Sequence, residues 1–88
     1  MGFDKIISVI LDRIPDVHKI ILIGDYAFGR DTGVVEIIIL ANVFQMEYIN
    51  SLQVKMNGVV NRTVKFYINA PVKNNGMVLY EKKSETTF

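Results

Sequence analysis

The chain of 88 residues contains no cysteine, no tryptophan and only one histidine. Without cysteine, disulfide bridges and thiolate zinc sites are excluded. His18 has no second histidine or cysteine with which to share a metal ion. An excess of charge of one sign is also lacking, because ten basic and nine acidic side chains give a net charge of +1. The composition therefore provides no electrostatic attraction to nucleic acid or to an anionic membrane.

Long hydrophobic runs are missing as well. No apolar stretch approaches the roughly 18 residues that span a bilayer, and the N-terminus lacks the basic start and continuous apolar core of a signal peptide. Half of the residues are nevertheless hydrophobic, which argues against disorder. We therefore expect a cytoplasmic protein without membrane contact. The length suits a single domain over residues 1–88, with a polar, disordered tail at 82–88.

The hydrophobic periodicity predicts six elements in the order α-β-β-α-β-β. The predicted helices cover residues 3–14, closed by Pro15, and 48–60. The predicted strands cover residues 18–23, 34–41, 62–68 and 77–80. His18, at the start of the first strand, is expected at the surface. We predict a small α/β (α+β) domain with a mixed sheet of about four strands and helices packed mainly on one face.

The loop 24–33 connects the first two strands and begins where an apolar run stops. Gly24 and Gly29 permit positive φ in a tight connection, whether or not a ligand binds there. Asp25 is interpreted as a cap for the amides of a short turn, rather than as a catalytic acid. Arg30 and Asp31 are expected to be surface charges that pair with each other. One helical turn is expected around Tyr26 and Ala27.

Glu36 is the one charged residue within the apolar second strand. Alternation places it on one face of the strand with Ile38 and Leu40, and the opposite face is wholly apolar. Two readings are favoured: an ion pair with Arg62 or Lys65, or a solvated position near the end of the strand. A metal ligand is the less favoured alternative.

The segment GDYAFGRDTGVVEIII resembles the loop of the minimal nucleotidyltransferases of the DNA polymerase β superfamily. Their pattern is Gly-Ser, three residues, Gly, a short loop and an Asp-x-Asp pair on the second strand. The chain looks closest to the nucleotidyltransferase-like domain that follows a winged helix in some bacterial and archaeal transcriptional regulators. The resemblance covers residues 7–81. Further matching positions are Tyr48, Ile49, Asn50, Lys55, Arg62 and the closing MVLYEKK.

The resemblance implies a phosphate-holding loop and three metal-binding acids in active members. Gly24 and Gly29 are kept here, but Asp25 stands where the loop has Ser. The first metal-binding Asp falls on Glu36, and the second on Ile38. The third acidic position falls near Lys65. Two-metal phosphoryl transfer needs clustered carboxylates, because two divalent ions lie within about 4 Å of each other.

We therefore expect no catalytic residues and no bound cofactor. Gly24, Asp25, Gly29 and Arg30 are interpreted as a vestigial nucleotide-binding loop, with Glu36 as a weak candidate metal ligand. The implied function is a non-catalytic regulatory, ligand-sensing or assembly module. It would lie beside a winged-helix DNA-binding domain in the parent chain, without contacting nucleic acid itself.

Two alternatives remain open. One is an active nucleotidyltransferase that uses Mg²⁺, a nucleotide, Glu36 and ligands from a partner chain. The other is a homo-oligomerisation domain without a ligand, because a sheet edge or helix flank in so small and apolar a domain can be covered by a second copy.

Overall fold

A computed structural model of the chain describes residues 3–72 and 76–83. Its helices are α1 (Asp4–Arg13) and α2 (Met46–Asn57), and its strands are β1 (Val17–Ile23), β2 (Val34–Ala41), β3 (Thr63–Ile68) and β4 (Met77–Glu81). A single 3₁₀ turn, Asp25–Phe28, lies in the loop between β1 and β2. The predicted order of elements and the helical turn around Tyr26 and Ala27 are confirmed.

The four strands form one mixed sheet in the order β3-β2-β1-β4. β1 pairs antiparallel with β2 and with β4, whereas β2 and β3 are parallel. The parallel pair follows from the connection, since α2 carries the chain from the end of β2 back to the start of β3. As a result, the starts of β2 and β3 lie at the same end of the sheet as the loop 24–33.

Both helices pack on one face of the sheet, as predicted. α1 contributes Ile6 and Ile10, and α2 contributes Leu52 and Met56, all without exposed surface. They meet the inward-facing strand side chains Ile20, Leu22, Val35, Ile37, Ile39 and Val64 in one cluster. Burying each large aliphatic side chain contributes about 1.5–3 kcal/mol, so this face supplies most of the stability of the fold.

The opposite side, here called the helix-free face, carries Ile21 of β1, Glu36, Ile38 and Leu40 of β2, and Tyr67 of β3. Alternation along the strands puts these residues opposite the core positions. Ile21 and Ile38 are nevertheless only 1% and 3% exposed. A Cβ built on Gly76 would lie 2.5 Å from Cγ2 of Ile21, so the start of β4 lies directly against this apolar centre.

His18 differs from the surface position expected for it. The register between β1 and β2 shifts between Val17 and Lys19, which makes His18 the extra residue of a β-bulge. The residue is half-buried, and its Nε2 atom is buried without a hydrogen-bond partner in the described residues. The hydrophobic pattern does not reveal this bulge, and His18 is less exposed than predicted.

The chain after β4 is described only as far as Lys83. The amide of Lys82 donates to the carbonyl of His18, so the sheet edge continues one residue beyond β4. Of the tail predicted to be disordered, residues 84–88 lie outside the described residues, as do residues 73–75 of the loop before β4. In the described part of the chain, no helix is long and apolar enough to cross a membrane.

Candidate functional site

Glu36 lies on the helix-free face, one strand in from the sheet edge. It is in register with Ile23 on β1 and with Lys65 on β3. The other face of β2 is buried in the core through Val35 and Ile37, which confirms the predicted alternation. Glu36 as a residue is half-buried, and it lies within an apolar strand at the side of the sheet that no helix covers.

Among residues 3–72 and 76–83, the carboxylate of Glu36 has one hydrogen-bond partner and one close backbone neighbour. The hydroxyl of Tyr67 donates to Oε1 at 2.8 Å. This bond, together with desolvation and the nearby negative charge, raises the pKa of the Tyr67 phenol above its ordinary value. A Cβ built on Gly24 would overlap Oε2. Gly24 has a positive φ, and the absence of a Cβ there leaves the space that the carboxylate occupies.

Neither ion pair proposed for Glu36 is formed as predicted. Arg62 instead binds Asp31 through two nitrogens, with Nη2 at 2.5 Å from Oδ2 and Nε at 3.1 Å from both carboxylate oxygens. Lys65 is beside Glu36 in register, but the hydrogen bond to the carboxylate comes from Tyr67. The hydrophobic periodicity of residues 62–68 does not reveal that Tyr67 pairs with Glu36. The signal that could have found this contact is the strand register: with Glu36 opposite Lys65 in a parallel pair, Tyr67 is the diagonal neighbour of Glu36.

All three glycines of the loop 24–33, namely Gly24, Gly29 and Gly33, have positive φ. Gly24 has φ 76° and ψ −163°, and Gly29 has φ 79° and ψ 13°. The 3₁₀ turn between them begins without a side-chain cap, so the capping role predicted for Asp25 is wrong. The first turn bond runs instead from the amide of Ala27 to the carbonyl of Gly24. The side chains of Asp25 and Arg30 are exposed.

Asp31 anchors the far side of the loop. It accepts the Arg62 bonds and also a bond from the amide of Gly33 at 3.0 Å. These bonds hold the pKa of the Asp31 carboxyl at about 2, well below its ordinary 3.8. The predicted pairing of Arg30 with Asp31 is therefore wrong. Arg62 is the partner because β3 starts beside β2, where the amide of Thr63 donates to the carbonyl of Gly33.

Aromatic contacts extend this anchor to the first helix. The Arg62 guanidinium lies 5.5 Å from the ring centre of Tyr26. Tyr26 in turn packs edge-on against Phe3, with ring centres 5.9 Å apart. A cation over an aromatic face and an edge-to-face ring pair each contribute roughly 0.5–1 kcal/mol at exposed sites. The loop is thus held to the start of α1 and to the start of β3.

Comparison with known proteins finds solved structures that share this architecture. No family model matches the chain, and no curated protein matches it. Solved structures do match. A Tyr-to-Ala variant of the toxin–antitoxin MntA-HpeT gives a TM-score of 0.80 at 21% identity, over 94% of this chain and 75% of that one. The chain has a nucleotidyltransferase-like fold.

Two further structures agree with this assignment of the fold. A double Asp-to-Glu variant of the same toxin–antitoxin gives a TM-score of 0.81 at 23% identity, over 94% of this chain and 75% of that one. A re-refined tri-AMPylated Shewanella oneidensis HEPN toxin in complex with MNT antitoxin gives 0.71 at 22% identity, over 90% and 69%. At such identities the likeness concerns the fold alone.

The fold brings the three positions that the sequence resemblance compares with metal-binding acids onto one patch. Glu36 and Ile38 follow each other on the helix-free face of β2, and Lys65 lies beside Glu36 on β3. Ile38 is also in register with Tyr67. The patch thus contains one carboxylate, one buried hydrocarbon side chain and one ammonium group. In the residues that the structure describes, no group of three His, Cys, Asp or Glu side chains could hold a metal ion.

Proposed function

We propose that this nucleotidyltransferase-like domain is a non-catalytic module that acts by binding another protein chain. The observation that carries the proposal is the composition of the Glu36 patch. Its three positions are side by side on the helix-free face, but only Glu36 can bind a cation. Mg²⁺ prefers several hard oxygen ligands, and a second metal ion needs a second set.

The surroundings of Glu36 further disfavour metal binding. The Tyr67 hydroxyl already uses one carboxylate oxygen, and the backbone of Gly24 is packed against the other. Lys65 is in register with Glu36 on the neighbouring strand, and its ammonium group repels a divalent cation. These contacts suit a carboxylate with a structural role in closing the loop against the sheet.

A role in assembly is supported by exposed hydrophobic side chains and by the nature of the neighbours. Val43, Phe44 and Met46 are between 41% and 65% exposed, and Val54 on α2 is 75% exposed. Val43, Phe44 and Met46 lie close together in sequence, and a contiguous exposed apolar patch is typical of an interaction surface. The similar structures carry the names of toxin–antitoxin complexes. By analogy, this chain would work in contact with a partner protein, as a regulatory component.

The partner named by the sequence resemblance is a winged-helix DNA-binding domain in the same parent chain. Under that version of the proposal, the module senses a ligand or mediates assembly, and only the winged helix contacts DNA. A second copy of the module is the other partner that the exposed surface suits. Light scattering over a range of concentrations separates these cases, because only self-association makes the mass of the isolated module rise with concentration.

Nucleotide transfer is the property that tests the non-catalytic reading. The chain is incubated with labelled ATP and Mg²⁺ or Mn²⁺, and incorporation of label into protein is measured. We expect none, and we expect Mn²⁺ to leave the amide signals of residues 24–36 without site-specific broadening. An Ile38→Asp/Lys65→Asp variant serves as the matched control, since it restores two acids beside Glu36 and should show that broadening.

Transfer of label by the unaltered chain that disappears in Glu36→Gln would overturn the proposal and establish an enzyme. Transfer that survives Glu36→Gln would place the active centre elsewhere. Saturable Mn²⁺ broadening at Glu36 in the unaltered chain, without transfer, would show a metal-dependent sensor, which also contradicts the proposed structural role of this carboxylate.

A further inference from the structure

A cavity of about 790 Å³ opens at the other end of the sheet from the loop 24–33. It is lined by His18, Lys19, Leu40, Glu81, Lys82 and Lys83. Leu40 is on the same face of β2 as Glu36 and four residues further along, which is about 13 Å at the rise of a strand. The cavity is therefore separate from the Glu36 patch, with the apolar pair Ile21 and Ile38 between them.

Positive charge predominates in this cavity, here called the lysine cavity. The Lys19 ammonium is 3.0 Å from the carboxylate of Glu81, and the Lys82 ammonium is 3.3 Å from Asp16. Lys83 forms no ion pair with any residue that the structure describes. Of the residues that the structure describes, three lysines and one glutamate line the cavity, although the chain as a whole is nearly neutral.

The bulge in β1 adds an unsatisfied nitrogen to this cluster. His18 is the bulged residue, and a bulge commonly redirects a side chain. Its Nε2 atom is buried and has no hydrogen-bond partner among residues 3–72 and 76–83. Buried polar atoms are nearly always paired with protein, water or a bound group. Because Nε2 itself has no exposed surface, a bound group reaches it only after the imidazole ring turns toward the cavity that His18 lines.

We propose that the lysine cavity binds a phosphate group. A phosphate offers several acceptor oxygens in a tetrahedral arrangement, so it can meet ammonium groups on different strands and an imidazole N–H together. A carboxylate offers acceptors in one plane and can satisfy fewer of these separated donors. The phosphate comes either from free inorganic phosphate or from a nucleotide. This site is independent of the Glu36 patch and of the proposed function.

The test is a titration of the whole chain with inorganic phosphate, followed by the amide signals of the ¹⁵N-labelled protein. Sodium chloride keeps the ionic strength constant, so that general screening is cancelled. We expect saturable shifts at His18, Lys19 and residues 81–83, with little change at residues 24–36. A parallel titration with AMP identifies the source: tighter binding of AMP indicates a nucleotide, and equal binding indicates free phosphate.

Charge variants give effects of opposite sign, which general damage to the fold cannot imitate. Lys83→Gln should weaken phosphate binding about threefold, and Glu81→Gln should strengthen it about threefold, as expected for single exposed charges. Lys5→Gln removes an exposed lysine on α1 and should change nothing. Well-dispersed amide spectra of all variants confirm that each is folded.

Several results would overturn the proposal. Shifts that grow linearly without saturation would show that there is no site. Equal affinity of Lys83→Gln and Lys5→Gln, or weaker binding by Glu81→Gln, would show that the cavity charges are not involved. Acetate binding as tightly as phosphate would reject phosphate as the ligand class. Saturable shifts confined to residues 24–36 would show that the anion binds at the loop instead of in the lysine cavity. Whether the loop is catalytic would then be decided by the transfer assay.

Discussion

Replacement of Gly24 by alanine tests the idea that the loop is built around the carboxylate of Glu36. Gly24 has φ 76° and ψ −163°, a region of backbone space that is essentially restricted to glycine. In addition, the new Cβ would overlap Oε2 of Glu36. The substitution therefore introduces backbone strain and also forces the carboxylate away from its place beside the loop.

The magnitude follows from these two effects. Strain at such a position costs about 1–3 kcal/mol. Displacing the carboxylate breaks its hydrogen bond with Tyr67, which adds about 1 kcal/mol. Gly29→Ala is the matched control, because Gly29 also has positive φ but has no atom within 4 Å of a built Cβ. That variant should lose about 1–2 kcal/mol, the cost of a left-handed alanine alone.

Urea unfolding followed by far-ultraviolet circular dichroism measures these losses. We expect Gly24→Ala to lower the free energy of unfolding by about 2–4 kcal/mol, which is large against the roughly 5–15 kcal/mol of a small domain. In a Glu36→Ala background the same substitution should cost about 1 kcal/mol less, since the overlap is gone. Additive losses from Gly24→Ala and Glu36→Ala would refute the contact, as would a Gly24→Ala loss no larger than that of Gly29→Ala.

Two further predictions concern titration. Ultraviolet titration should find the pKa of the Tyr67 phenol above its ordinary value of 10.0. Glu36→Gln should bring that pKa back toward 10.0, because the Glu36 carboxylate is the main cause of the shift. An unchanged pKa in Glu36→Gln would contradict the hydrogen bond. The pKa of Asp31 is lowered on folding, so its contribution to stability is present above pH 3.8 and is lost as the pH falls toward about 2. In acid unfolding curves, the stability of Asp31→Asn should therefore fall less between pH 3.8 and about 2 than the stability of the unaltered chain. If the two curves run parallel, the pair between Asp31 and Arg62 contributes nothing to stability.

The elements of the fold were predictable because hydrophobic side chains recur at the period of each structure. Residues 34–41 were predicted as a strand and form one between the same two residues. Residues 48–60 were predicted as a helix, and Leu52 and Met56 of α2 pack without exposed surface. Burial of apolar surface dominates the folding free energy, so a pattern of apolar residues carries this information directly.

The contacts of the polar side chains were much less predictable. Arg30 and Asp31 are neighbours in sequence, yet Asp31 binds Arg62, which lies 31 residues away. Asp25 was expected to cap the turn, but glycine geometry and a backbone bond begin it instead. His18 was expected at the surface, but it lies at a shift in strand register and its Nε2 atom is buried. These polar contacts depend on which strand ends lie next to each other, and the local hydrophobic periodicity does not contain that information.

The sequence by itself determined the chemistry available at the Glu36 patch: one carboxylate, with hydrocarbon and ammonium groups at the other two positions of the resemblance. It also determined the order of helices and strands, because apolar periodicity depends only on neighbouring residues. Tertiary structure decided which of these groups meet. The parallel pairing of β2 with β3 brings Tyr67 to Glu36 and Arg62 to Asp31, and His18, at the bulge in β1, lines the lysine cavity. Contacts between distant residues depend on strand order and register, which are set when the whole core packs.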